Sequence, residues 1–150
     1  MLAAFQQAMA DLVASPPMCE DLRRSRSALR DYDLNDLEAD RLAAMVALPA
    51  MAANCMVYRS NRLTPIAVNF PRTCTTLGTD LRIIVDRFWS CCPTQPFVHF
   101  LIEARRFAEF LAGLLDADDL PPTVDRGALV AVLARESERV NIQFAATTAA

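Results

Sequence analysis

Apolar side chains recur every three or four positions along most of the chain, and this periodicity restricts the fold more than any other feature. The clearest run comprises Phe97, Phe100, Leu101, Ala104, Phe107, Ala108, Leu111 and Leu114. Such spacing places side chains on one face of an α-helix, whereas a half-buried strand would alternate at every second residue. The 150 residues include 25 alanines and only 3 glycines, which favours helix elsewhere as well. We therefore predict an all-α fold, a compact helical bundle of about six to seven helices.

Several helix ends are marked by residues with strong local preferences. Asn35 and Glu38 have the spacing of a capping box, in which each side chain accepts a hydrogen bond from the other residue's backbone N–H. Pro49 would remove one helical hydrogen bond, so we expect a kink or a short break there. Pro71 is placed to open a short helix, and Gly78 is placed to end it.

A chain of 150 residues is most simply interpreted as one domain. We predict a single helical domain over residues 1–145 and a flexible tail over residues 146–150. The predicted core consists of Phe5, Leu42, Met45, Phe88, Phe100, Leu101, Phe107 and Leu111. Residues 141–144 could form a short strand near the C-terminus or the frayed end of a helix, and the sequence leaves both open.

Charge and cysteine content bear on partners and compartment. The formal net charge of −3 provides no overall positive field for a nucleic acid, so we do not expect nucleic-acid binding. Residues 42–58 are almost entirely apolar, but a membrane-spanning helix needs ~20 such residues, so we expect a buried core segment and no membrane association. The five cysteines occur without a signal-peptide pattern, which predicts reduced thiols in the cytoplasm.

The sequence offers few groups for catalysis or metal binding. His99 is its single histidine, and Cys91 and Cys92 are adjacent but lack the C-x-x-C spacing of a zinc site. We expect no catalytic residue, no metal site and no cofactor in this chain. The alternatives left open are a metal-ligand or catalytic role for His99, and a thiol enzyme that uses Cys91 or Cys92 with His99.

Two arginine-rich segments are candidates for binding. The first has four arginines on one predicted helix: Arg23, Arg24, Arg26 and Arg30. They fit a solvated helix face, with phosphate contacts in a small helical DNA-binding regulator as the alternative.

The second segment combines an aromatic ring with three polar side chains: Tyr58, Arg59, Asn61 and Arg62. Guanidinium and amide groups are suited to binding the carboxylates and backbone of another chain. An exposed helix end stays open as an alternative. A folding role also stays open, in which Arg59 or Arg62 pairs with an aspartate (Asp80 or Asp86) or with a helix C-terminus.

The same segment opens an ordered set of residues that is similar to a known family. The set is Tyr58-Arg59-x-Asn61-Arg62-Leu63, Phe70-Pro71-Arg72-Thr73, Leu77-Gly78, Phe88-Trp89, Pro93 and Phe107-x-x-Phe110-Leu111. It resembles the partner proteins encoded beside multinuclear non-haem iron oxidative enzymes. Those enzymes are TIM barrels that modify cysteines and other residues of ribosomally made peptides in methanobactin-type and thiaglutamate-type biosynthesis. A related, larger family carries a domain that has been labelled DNA-binding.

The resemblance implies a non-catalytic adapter that forms a heterodimer with the iron enzyme and helps present the precursor peptide, with cysteine as the expected site of modification. The TIM-barrel partner would hold the iron, and this chain would hold none. Carried over to the matching positions, the partner-binding residues are Tyr58, Arg59, Asn61, Arg62 and Arg72. Relatives often have a C-terminal region with strands that pair with the leader peptide, whereas residues 145–150 here are only alanine and threonine.

Overall fold

The computed structural model describes residues 2–92 and 100–148. Over these residues the fold is all-α, which confirms the predicted fold class. The α-helices are α1 (Leu2–Ala14), α2 (Pro16–Arg24), α3 (Asp36–Ala47), α4 (Pro49–Asn69), α5 (Pro71–Leu77), α6 (Leu81–Cys91), α7 (Phe100–Asp116) and α8 (Arg126–Thr148). Two short 3-10 helices, Arg26–Leu29 and Gly78–Asp80, precede α3 and α6 respectively.

The chain divides into two compact units, Met1–Asn61 and Arg62–Ala150, and the boundary falls within α4. Each unit has its own buried apolar cluster. The prediction of one domain over residues 1–145 stays a prediction, and the two units are described one at a time.

The first unit contains α1, α2, α3 and the first part of α4. Helix α2 begins directly after α1, because Ser15 Oγ accepts a hydrogen bond from the Met18 backbone N–H (3.3 Å) and Pro16 fits the first helical position. The capping box of α3 is confirmed: Asn35 Oδ1 accepts from the Glu38 N–H (2.9 Å), and the Asn35 N–H donates to Glu38 Oε2 (3.0 Å). Both helix starts therefore follow from local hydrogen bonds.

The break predicted at Pro49 is confirmed. Leu48 has an extended backbone with ψ of 141°, Pro49 begins α4, and α3 and α4 meet at 81°. Pro65, in contrast, lies inside α4 without ending it. Among the described residues no single helix is long and apolar enough to cross a membrane, although α3 and α4 meet the length and composition criteria together as a bent pair.

The second unit is built around three fully buried phenylalanines. Ring centres are 6.1 Å apart for Phe70 and Phe107 and 5.5 Å apart for Phe88 and Phe107, and both pairs pack edge to face. Helix α5 begins at Pro71 and ends at Gly78, whose φ of +53° lies in the region that glycine adopts most readily. The predictions for these two residues are confirmed.

The predicted core is correct except at one position. The completely buried members are Leu42, Phe88, Phe107 and Leu111. The partly buried members, which pack against the core of their own unit, are Phe5, Met45 and Leu101. Phe100 was wrongly assigned to the core, because it is the first residue of α7, one turn before the buried Glu103, and is 41% exposed.

The C-terminal part of α8 corrects one further expectation. Residues 141–144 are helical, so the short strand is the wrong alternative for this segment. Phe144 packs there against α7, with the Arg105 guanidinium 4.5 Å from its ring centre. The helix continues to Thr148, so residues 146–148 of the predicted tail are helical as well.

Candidate functional site

The five predicted binding residues fall in different units. Tyr58, Arg59 and Asn61 belong to the first unit, and Arg62 and Arg72 belong to the second. Tyr58 and Arg59 are half-buried, and Asn61 and Arg72 are exposed. Arg62 alone is buried, with 6% of its surface exposed.

The first unit presents an exposed, largely apolar surface on α4, called here the α4 face: Ala52, Ala53, Met56, Val57, Ser60 and Asn61. These residues form two adjacent rows at spacings of four, so they lie on one side of the helix. Met56 is 67% exposed and Val57 is 61% exposed, whereas Met51 and Cys55 on the other side are buried. A surface with an apolar centre and a polar end is typical of a protein-binding site.

The sequence analysis missed this face because it assigned the whole apolar stretch 42–58 to the core. Within that stretch only Leu42, Val46, Met51 and Cys55 are buried. The expectation of a buried segment is therefore wrong for Met56 and Val57. The sequence does carry a signal for the outward side: the polar Ser60 and Asn61 lie four positions after Met56 and Val57, in the same two rows of α4.

Arg62 contributes to the interior of the second unit rather than to its surface. Its Nε donates to Glu103 Oε1 on α7 (2.7 Å), and its Nη2 donates to the backbone carbonyl of Cys92 (2.8 Å). Its guanidinium also lies 5.5 Å from the centre of the Phe88 ring and 5.6 Å from that of Trp89. These contacts give Arg62 the folding role that the sequence left open and correct its assignment to a binding surface, although the acid is Glu103 and neither Asp80 nor Asp86.

The Arg62–Glu103 pair is almost completely removed from water, with the two side chains 7% and 5% exposed. One carboxylate oxygen, Glu103 Oε2, has no hydrogen-bond partner among the described residues. Burial of two charges carries a large desolvation cost, which their attraction offsets only while both are present. Each member of the pair therefore depends on the other, and the loss of either should destabilise the unit.

Arg72 has an exposed side chain, but its backbone takes part in a long-range helix cap. The N–H groups of Arg72 and Thr73 donate to Glu136 Oε1 and Oε2, each at 3.0 Å. Glu136 lies on α8 and is buried, and the residue before α5, Phe70, provides no side-chain cap. A carboxylate at a helix N-terminus satisfies free N–H groups and complements the helix dipole. Sequence reasoning missed Glu136, since it lies 64 positions from Arg72.

The four arginines of the first predicted binding segment, Arg23, Arg24, Arg26 and Arg30, each have an acceptor within the first unit. Arg23 donates twice to the Val46 carbonyl (3.0 and 3.2 Å). The three other arginines form four ion pairs, which join Arg24 to Glu20 and Asp21, Arg26 to Asp40, and Arg30 to Asp31. The prediction of one helix for these four residues is wrong, because α2 ends at Arg24, Ser25 is extended, and Arg26 begins a 3-10 helix that Arg30 follows. Their exposed ion pairs still fit a solvated surface.

The cysteines are free thiols in different environments. Cys19 and Cys55 are buried, and their Sγ atoms lie 3.0 and 3.7 Å from the same carbonyl oxygen, that of Leu12. Burial and the neighbouring Cys55 raise the pKa of Cys19 to about 11, and burial raises the pKa of Cys74 to about 11.

Groups that could hold a metal are scarce in the described part of the chain. No cluster of three or more His, Cys, Asp or Glu side chains occurs there. Cys91 ends α6 and is exposed, whereas Cys92 follows it and accepts a hydrogen bond from Arg62 at its backbone oxygen. His99 lies outside the described residues, so its role stays open.

The chain matches no protein-family model, and comparisons with curated proteins and with solved structures found no similar protein. The resemblance to iron-enzyme partner proteins therefore rests on the quoted residues alone. In the structure several of these residues have clear roles: Phe70, Phe88 and Phe107 form the aromatic core, and Gly78 ends α5. Pro93 lies outside the described residues.

Proposed function

We propose that this protein is a non-catalytic accessory subunit that binds a multinuclear non-haem iron oxidative enzyme of TIM-barrel fold. In this proposal the iron belongs to the partner, and the chain itself carries no cofactor. The subunit acts in the cytoplasm, in a heterodimer, and helps present a ribosomally made precursor peptide for modification at cysteine. The ordered set of residues from Tyr58 to Leu111 supports the choice of partner.

The α4 face is the observation that carries the binding role. Met56 and Val57 expose most of their apolar surface to water, and Asn61 lies one turn beyond Val57 on the same side. Burial of such apolar surface against a partner is favourable by about 25 cal/mol per Å². The half-buried Tyr58 and Arg59 border the face, and both residue types are enriched at protein interfaces. The proposed contact surface is therefore the α4 face with Tyr58 and Arg59.

The DNA-binding alternative has weaker support. It requires the arginine face of the first unit to contact phosphates, but Arg23 donates to the Val46 carbonyl, and the carboxylates beside Arg24, Arg26 and Arg30 would repel phosphates. The formal net charge of −3 also opposes association with a polyanion. A duplex-binding measurement over a range of salt concentrations would detect this activity.

The test measures the affinity between this chain and a multinuclear iron enzyme encoded in the same gene neighbourhood, by biolayer interferometry. The double variant Met56→Glu/Val57→Glu introduces two charges into the centre of the α4 face. Hot-spot residues at the centre of an interface contribute about 2 kcal/mol or more, on the order of thirtyfold in affinity, so two charges at the centre of the face should cause at least a tenfold loss. Arg59→Ala should weaken binding in the same direction.

Leu37→Glu is the matched control. Leu37 is 59% exposed, belongs to the same unit, and lies in the first turn of α3, where an acidic side chain is favourable. This variant should bind like the wild type. Wild-type affinity in the double variant would exclude the α4 face, and a wild-type chain that does not bind the enzyme would contradict the proposed function itself.

A further inference from the structure

The second unit contains a groove of about 430 Å³ on the surface formed by α7 and α8. Its lining is largely apolar: Phe70, Leu133 and Val140 are buried, whereas Val130, which is 52% exposed, and the half-buried Leu115 offer accessible apolar surface. Its walls carry small side chains, among them Ala108 and Ala112 on α7 and Ala134 on α8. The volume is within the range of ligand-binding clefts, and the small walls allow large side chains of a partner to enter.

The two helices that form the groove run antiparallel. Arg126, the first residue of α8, donates to the Leu115 carbonyl near the end of α7 (2.6 Å). At the other end, Arg105 near the start of α7 stacks on Phe144 near the end of α8. Positions along α7 therefore give positions along the groove, from Arg105 at one end to Asp116 at the other.

The two ends of the groove have opposite chemistry. Arg105 and Asn141 supply a cation and an amide at one end, whereas Asp116 supplies a carboxylate at the other. Glu109, whose side chain is 71% exposed, lies between them, 4.0 Å from Arg105, which leaves this ion pair weak. The groove therefore combines a largely apolar lining with one positive and one negative end.

The dimensions favour a helical peptide as the occupant. Arg105 and Asp116 are eleven positions apart, which corresponds to about 16 Å along a helix, or three turns. An amphipathic helix can place apolar side chains three and four positions apart into such a groove. A free fatty acid fits less well, because its aliphatic chain would lie beside the carboxylates of Glu109 and Asp116.

We propose that this groove binds an amphipathic peptide helix of about three turns that has an acidic end and a basic end. Its apolar side chains lie on Val130, Leu115 and the alanines of the walls, its acidic end is at Arg105 and Asn141, and its basic end is at Asp116. The proposal does not depend on the iron enzyme, because the groove and the α4 face belong to different units and their tests use different ligands.

The test uses three synthetic hydrocarbon-stapled helices of thirteen residues that share leucines at positions 4, 8 and 11. The mixed probe has glutamates in its N-terminal turn and lysines in its C-terminal turn, in accord with its own dipole. The other two probes have acidic residues at both ends or basic residues at both ends. Fluorescence anisotropy at low salt should show that the wild-type chain binds the mixed probe at least threefold more tightly than either of the others.

Two pairs of variants locate the site. Arg105→Glu makes both ends of the groove acidic, so this variant should bind the probe with two basic ends most tightly. Arg135→Glu, an exposed charge reversal on α8 outside the groove, should keep the wild-type preference. Ala112→Trp should fill the groove and lower the affinity for the mixed probe at least tenfold. Ala131→Trp, at an exposed position outside the groove, should leave this affinity unchanged.

Circular dichroism of each variant verifies that the helical fold is kept. A wild-type chain that binds none of the probes, or all three equally, would overturn the proposal. The same holds if Ala112→Trp binds like Ala131→Trp, or if Arg105→Glu keeps the wild-type preference.

Discussion

Replacement of Arg62 by alanine removes the cation from the buried Arg62–Glu103 pair and leaves a carboxylate in the interior of the second unit. The Glu103 side chain is 5% exposed, so its carboxylate is largely removed from bulk water when the guanidinium is lost. The substitution also removes the hydrogen bond to the Cys92 carbonyl and the contacts with the Phe88 and Trp89 rings. All of these contacts lie within the second unit, and its stability should fall.

The magnitude follows from the burial of the pair. Removal of one partner of a buried ion pair costs about 3–5 kcal/mol, chiefly because the other charge stays buried and uncompensated. For a chain of this length that loss lowers the melting temperature by roughly 10 °C. Replacement of both partners by apolar residues, in Arg62→Met/Glu103→Leu, removes the stranded charge and should recover most of the lost stability.

Urea denaturation followed by circular dichroism measures these free energies of unfolding. Arg72→Ala is the control, because the Arg72 side chain is exposed and exposed substitutions usually change stability by less than about 0.5 kcal/mol. If Arg62→Ala is no less stable than Arg72→Ala, or if the double variant is less stable than Arg62→Ala, the argument for a mutually dependent pair is wrong.

Three further predictions test other parts of the fold. Phe107→Ala should cost about 3–5 kcal/mol in urea denaturation, and Phe100→Ala far less, because only Phe107 is completely buried. Glu136→Gln replaces a carboxylate oxygen with an N–H donor opposite a backbone N–H of α5, which should cost about 1–3 kcal/mol by the same assay. Burial and the hydrogen bond to Asp11 (2.7 Å) raise the pKa of Tyr32 to about 12, so one tyrosine should ionise near that pH when followed by absorbance at 295 nm, and Tyr32→Phe should remove this step. Because the pKa is raised, the stabilisation from neutral Tyr32 is complete below pH 10 and is lost as the pH rises towards 12; if the step that Tyr32→Phe removes lies near pH 10, the prediction is wrong.

The features that the sequence predicted correctly depend on neighbouring residues. The Asn35–Glu38 capping box involves residues three positions apart, and the effects of Pro49 and Gly78 act on the backbone at the residue itself. The apolar periodicity of α7 is equally local, and Phe107, which belongs to this apolar stripe, is fully buried. Local physics of this kind can be inferred from a single sequence.

The features that the sequence did not predict depend on distant pairs. Glu103 lies 41 positions from Arg62, and the sequence alone does not distinguish it from the many other acidic residues that could pair with this arginine. The same holds for Glu136, the cap of α5. Exposure of Met56 and Val57 is indicated in the sequence only by the polar Ser60 and Asn61, which follow them in the same two rows of α4. Half-buried Arg59 and buried Arg62 are only three positions apart, and the burial of Arg62 depends on its pairing with the distant Glu103.

Reconstitution of peptide modification tests the central proposal most directly. The chain is purified, treated with a chelator so that it is metal-free, and added in increasing amounts to the neighbouring iron enzyme and its peptide, with the modified peptide measured by mass spectrometry. If this chain is a non-catalytic accessory subunit, the enzyme alone should convert little peptide and this chain alone should convert none. When the two are combined, the amount of modified peptide should rise to a plateau. Full conversion by the enzyme alone, or conversion by this chain without the enzyme, would contradict the account.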